Sequence, residues 1–146
     1  MLVYLAGPLF SKAERAYNEL IGSALEQAGY QVIMPYTLLT DEDIQAAGED
    51  APGLIFGTCL KHLSLAGSVV AILDGPQVDD GTAWEIGYAY GQGKKIFGIR
   101  TDGRRAGETE CSVVNSMIQG SIEEIVKDLP ALLRVLKKFE IEFSKE

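Results

Sequence analysis

Short, almost wholly apolar runs alternate along this chain with longer stretches whose apolar residues return every three or four positions, and that alternation constrains the fold more than any other feature. Leu2 to Ala6 is closed by Gly7-Pro8, Tyr30 to Met34 by Pro35, and Val69 to Leu73 by Asp74-Gly75-Pro76, while Lys95 to Arg100 carries its charges at its ends. Each reads as a strand covered on both faces. Between them, Ala13, Ala16, Leu20, Ile21, Ala24, Leu25 and Ala28 keep helical spacing from Lys12 to a stop at Gly29. Leu54, Ile55, Cys59, Leu60, Leu63 and Ala66 mark a second helix, and Gly81 to Gln92, closed by Gly93, a third.

Strands alternating with helices imply parallel pairing through right-handed crossovers. The expected fold is therefore α/β: a doubly wound three-layer sandwich, flavodoxin-like or Rossmann-like, with a mainly parallel sheet of four or five strands. Thr37 to Ala51 reads as a long acidic surface loop, and Thr101 to Gln119 as an irregular polar segment. Ser121 to Phe139 reads as helical, with Pro130 kinking it or starting a new helix, and a fifth strand is left open. With 146 residues and no repeat or linker, a single domain over 1–146 is expected.

The formal net charge of −8 argues against nucleic acid as a partner, because such binding relies on Lys and Arg neutralising phosphates. A small uncharged substrate fits better. No apolar run approaches the ~20 residues of a membrane span, and the start at Met1-Leu2-Val3 reads directly as a strand and not as a signal peptide, so a cytoplasmic protein is expected. Cys59 and Cys111 lack metal-site spacing, so neither a metal nor a disulfide is expected. Gly7-Pro8-Leu9-Phe10 stands where a dinucleotide fingerprint would follow strand one, which argues against NAD or FAD.

The segment from Asp74 to Glu85 places four acids and two glycines at one strand end, where a doubly wound sheet usually holds its ligand. Gly81 would let backbone and ligand approach closely. Glu85 has two readings. In the first turn of a helix, the peptide dipoles would keep its carboxylate ionised and available as a nucleophile. Equally, Thr82-Ala-Trp-Glu85 has the form of a capping box, in which Glu85 merely bonds backbone. Asp79 and Asp80 can be turn or cap residues. Cys59 and His62 lie one helical turn apart, but Cys59 falls on the apolar stripe, where a buried structural thiol is the commoner case.

Three runs, Tyr4-Leu-Ala-Gly-Pro-Leu-Phe10, Asp79-Asp-Gly-Thr-Ala-Trp-Glu-Ile-Gly-Tyr-Ala89 and Asn115-Ser-Met117, resemble nucleoside 2-deoxyribosyltransferases in type and order. The resemblance implies that Glu85 attacks C1' of a 2'-deoxynucleoside, forms a deoxyribosyl ester and releases the base. A second base then reverses the displacement with retention, and no cofactor is required. It further implies that Tyr4 orients Glu85, that Asp79 holds the deoxyribose hydroxyl, and that Ala6, Gly7, Phe10 and Gly81 line the substrate pocket. Asn115 and Met117 would complete a neighbouring subunit's site, so a homo-oligomer acting on deoxynucleosides and free bases is expected.

With water as acceptor the same chemistry is N-glycoside hydrolysis, and a related branch cleaves deoxynucleoside 5'-monophosphates. Asn115, where that branch carries Ser, leans towards a free 5' hydroxyl. A third reading is a non-catalytic nucleoside-binding module. The family usually sets an Asp on the helix before strand three to protonate the leaving base, and Cys59 stands there instead. Asp41, Asp43 or another acid of the long loop would have to substitute, or activity would be weak.

Overall fold

The computed structural model describes residues 1–143. The chain runs β1 (Leu2–Ala6), α1 (Lys12–Gln27), β2 (Gln31–Ile33), α2 (Asp41–Ala47), α3 (Ala51–Leu65), β3 (Ser68–Ile72), α4 (Asp80–Gly91), β4 (Lys95–Ile99), α5 (Ser116–Gly120), β5 (Glu124–Val126) and α6 (Leu129–Phe143). The five strands form one sheet in the order β2-β1-β3-β4-β5, and every pairing is parallel. This is the expected doubly wound fold. The order in which strands are added reverses between β1 and β3, the switch point of such sheets.

Alternation along β1 decides which residues meet which helices. Val3 and Leu5 face a layer with Ile21 and Leu25 of α1 and Leu132 and Leu136 of α6. Tyr4 and Ala6 face the opposite layer, with Leu63 of α3 and Ile86 and Ala89 of α4. Tyr4 is opposite Ile33 on one neighbour and Val69 on the other. β3 is central and all five of its residues are buried, and from Val69 to Ile72 its sequence is apolar without alternation.

Two sequence readings are corrected. The span Thr37 to Ala51 is not a loop: after a 3₁₀ turn at Pro35–Thr37 it contains α2, followed by a second 3₁₀ turn at Gly48–Asp50. Thr40 and Asp43 make a reciprocal capping box at the start of α2, which supplies helix-starting bonds that apolar periodicity could not announce. Ser121 to Phe139 is not continuously helical either. Glu124–Val126 is an edge strand beside β4, with Phe97 opposite Glu124, and Pro130 sits in the first turn of α6, where its missing N–H costs nothing.

The turn after β3 is tied to the exit of β4. The Asp74 carboxylate accepts from the Thr101 amide at 2.6 Å, the Thr101 hydroxyl at 2.5 Å and the Asp102 amide at 2.9 Å. Gly75 has φ 126°, a left-handed value that strains any side chain. Among the described residues no helix is long and apolar enough to cross a membrane.

Candidate active site

Of the four acids clustered between β3 and α4, three are engaged in shaping the turn. Asp74 holds the residues after β4. Asp79 is the N-cap of α4, its Oδ2 accepting from the Thr82 amide at 2.9 Å and the Thr82 hydroxyl at 3.0 Å. Asp80 accepts from the Gly81 amide at 2.8 Å. Glu85 alone turns towards the sheet, where the Tyr4 hydroxyl donates to its Oε1 at 2.5 Å. Residues separated by 81 positions in the chain thus meet because β1 lies beneath α4.

The capping-box reading of Thr82 and Glu85 is therefore overturned: Asp79 caps the helix, and Glu85 falls in its second turn. Helix-terminal dipole stabilisation fades within the first turn, so it does not govern this carboxylate as expected from sequence. Burial instead pushes Glu85 up to about 7, the hydrogen bond from Tyr4 pulls it down in part, and the Asp79 charge adds to the rise. Near neutrality the group is poised between its two forms, as perturbed carboxyls at functional sites often are.

Tyr4 is fully buried. Burial, then the Glu85 charge, holds its phenol well above the usual tyrosine range, so it stays a donor at any physiological pH. The Cys59 thiol of α3 approaches the same hydroxyl; burial raises it, although the contact with Tyr4 opposes the rise. Cys59 is half-buried and faces the site, not the deep core assigned to it from the apolar stripe. His62 makes no pair with it, since its Nδ1 meets the Thr58 carbonyl at 2.8 Å.

Glu85 and Cys59 open onto a cavity of about 530 Å³ between α3 and α4, which Ile55, Phe56, Leu63 and Trp84 also line. The volume suits a small ligand. Gly81 lies on its wall, and a Cβ there would come within 3.3 Å of Asp79 Oδ2. The Trp84 ring stacks on Tyr88, with centroids 5.5 Å apart and planes 9° from parallel, while Phe56 meets it edge-on at 5.5 Å. Sequence reading passed over both Trp84 and Phe56; their half-exposure, 49% and 53%, is visible only once two helices share a groove.

The remaining expected site residues are more dispersed. Ala6 is buried one residue pair along β1 from Tyr4, and Gly7 packs so tightly that a Cβ would stand 3.1 Å from Ile72 Cβ and 3.2 Å from Asn18 Oδ1. Phe10, 79% exposed, lies outside the cavity lining. So do Asn115 and Met117: Asn115 caps α5 through the Met117 amide and donates to Glu108 at 2.6 Å, and Met117 is 81% exposed. Asp41 and Asp43 do not line the cavity, and Asp43 is occupied by Thr40.

A further residue escaped the sequence reading. Arg100, only 3% exposed at the end of β4, donates to the carbonyls of Leu73, Gly75 (3.0 Å) and Arg104 (2.7 Å). It ties the turn after β3 to the segment after β4.

Residues 3–117 match the nucleoside 2-deoxyribosyltransferase family. The chain is 34% identical to the Schizosaccharomyces pombe protein C191.05c over 115 residues, covering 70% of this chain and 51% of that protein, so it spans about half the length of this curated relative. A conserved protein from Enterococcus faecalis V583 superposes with a TM-score of 0.77 at 27% identity, over 94% of this chain and 97% of the other. The 2-deoxyribosyltransferase of Bacillus psychrosaccharolyticus does so with a TM-score of 0.76 at 24% identity, over 91% and 90%. The match covers both β1 with Tyr4 and α4 with Glu85, and the chain belongs to the nucleoside 2-deoxyribosyltransferase family.

Proposed function

We propose that this protein is a nucleoside deoxyribosyltransferase, moving 2'-deoxyribose between purine and pyrimidine bases by retaining double displacement. The observation that carries this reading is the 2.5 Å bond from Tyr4 to a Glu85 carboxylate that borders a ligand-sized cavity. Glu85 attacks C1', the C1'–N bond breaks with its electron pair passing to the base, and a deoxyribosyl ester forms. Tyr4 fixes the carboxylate, and its hydrogen bond weakens as the carboxylate charge is lost to the ester. Asp79 is assigned to the sugar hydroxyl and Gly81 to the cavity wall, while Ala6, Gly7 and Phe10, which do not line that cavity, are assigned to the substrate by the family resemblance alone. An incoming base then displaces Glu85.

The same reading makes the protein a cytoplasmic homo-oligomer. The exposure of Met117, 81%, supports its completing, with Asn115, the site of a neighbouring copy.

Incubation with deoxyadenosine and excess cytosine, followed by chromatography, tests the activity. New deoxycytidine together with free adenine is the expected result. Free adenine without new nucleoside would make water the acceptor and the enzyme a hydrolase. Neither product, with thermal stabilisation by nucleoside, would leave a binding module.

Cys59 is where the reaction is weakest. A thiol raised by burial is a poor donor to a departing base. Cys59→Asp should accordingly raise turnover of deoxyadenosine by about tenfold or more, measured in the same assay. A variant that folds and binds but is no faster would show that proton donation does not limit the reaction.

A further inference from the structure

The cavity beside Glu85 is nearly devoid of groups that could manage charge or protons. Ile55, Phe56, Leu60, Leu63 and Trp84 supply most of its wall, and among the described residues that line it Glu85 is the one carboxylate. The polar remainder is the Cys59 thiol and the Trp84 indole N–H. When a neutral nucleoside loses its base without protonation, the base departs as an anion, and an apolar wall offers that anion no counter-charge.

A cationic aglycone reverses the balance. Carboxylate and cation meet as two opposite charges, and both vanish in the reaction: Glu85 Oε bonds to C1', the C1'–N bond breaks, and its electron pair neutralises the ring nitrogen. The ester and the departing base are both uncharged, and no proton moves. An incoming base, or water where no base is supplied, then attacks C1', restores the Glu85 carboxylate and carries off the sugar with release of one proton. An apolar cavity favours the first of these steps, in which both charges are lost.

The aromatic wall suits the same ligand. Trp84 and Phe56 are half-exposed around the cavity, and Trp84 is backed by the stacked Tyr88 ring. Indole faces attract cations as well as planar rings, most strongly where water is excluded. We propose that the preferred substrates are N-glycosides whose aglycone is a positively charged aromatic ring, a pyridinium or an N-alkylated purinium, held against Trp84 and Phe56 with Glu85 at C1'. This rests on Glu85 being the nucleophile of the proposed function.

Nicotinamide 2'-deoxyriboside, a permanent cation, and deoxycytidine, its neutral single-ring counterpart, are the probes. Steady-state release of each base by the wild type, Trp84→Leu and Glu85→Gln proteins separates the outcomes. We expect kcat/KM to be about a hundredfold or more higher for the cation, and Trp84→Leu to raise its KM at least about fivefold more than it raises that of deoxycytidine. Intrinsic lability of the pyridinium would speed its cleavage, but would not make its KM depend on Trp84.

Equal kcat/KM values, or equal KM changes in Trp84→Leu, overturn the inference while leaving Glu85-dependent cleavage of deoxycytidine standing. Cleavage of both probes undiminished in Glu85→Gln overturns the proposed function along with it.

Discussion

Glu85→Gln is expected to lose sugar transfer by about 10⁴-fold or more and, above pH 7, to melt at a higher temperature than the wild type. Loss of activity follows from removing the proposed oxygen nucleophile. The gain in stability follows from burial. Glu85 rises from 4.5 to about 7 in the folded protein, chiefly through desolvation. Between those values the native state binds more proton than the unfolded chain, so stability falls as pH rises through this window. Fully developed, the cost of holding the charge inside is at most roughly 3 kcal/mol.

Glutamine keeps the size and an acceptor for Tyr4 but carries no charge, so the variant escapes that cost. Thermal unfolding at pH 5 and pH 8 should show the two proteins nearly alike at the lower value and the variant more stable at the higher. If the variant were less stable at pH 8, the carboxylate would be a net structural support, and its role as a stored nucleophile would lose its physical basis.

Tyr4→Phe should lower kcat at pH 7 by about a hundredfold and move the rising limb of the pH–rate profile upward. In the wild type the limb reflects ionisation of Glu85 and is expected near 7. The Tyr4 hydrogen bond favours the charged form and so holds that value down. Removing it leaves burial and the Asp79 charge unopposed, and the carboxylate ionises later. The phenyl ring still fills its place between β1 and α4, so folding should persist. A fall in kcat without movement of the limb would mean that Tyr4 acts on the substrate and not on Glu85.

The sheet was legible in the sequence because covered parallel strands must be continuously apolar, as β1 and β3 are. β5 was not: three residues beginning with Glu124 at a sheet edge carry no pattern that distinguishes them from a helix start. α2 escaped for a similar reason, since its stability is local to the bonds between Thr40 and Asp43. The run from Asp79 to Glu85 pointed to the site, but its local grammar misled. Thr82 and Glu85 spell a capping box, whereas Asp79 competes for the same amide and wins it.

What sequence could not supply is proximity across the fold. The placement of Cys59 against Tyr4, and of Phe56 against Trp84, depends on α3 and α4 packing side by side over one sheet face. Neither pair has a spacing to read. The same packing turns Glu85 from a helix-end carboxylate into a buried one, which is why burial and not the dipole sets its proton affinity.

Rapid acid quenching during turnover of deoxyadenosine, followed by mass spectrometry of the digested protein, tests the covalent role of Glu85 most directly. One deoxyribosyl group on the peptide containing Glu85, absent from Glu85→Gln, is expected. Turnover that proceeds with the sugar attached elsewhere, at Asp79 or Cys59, would contradict it.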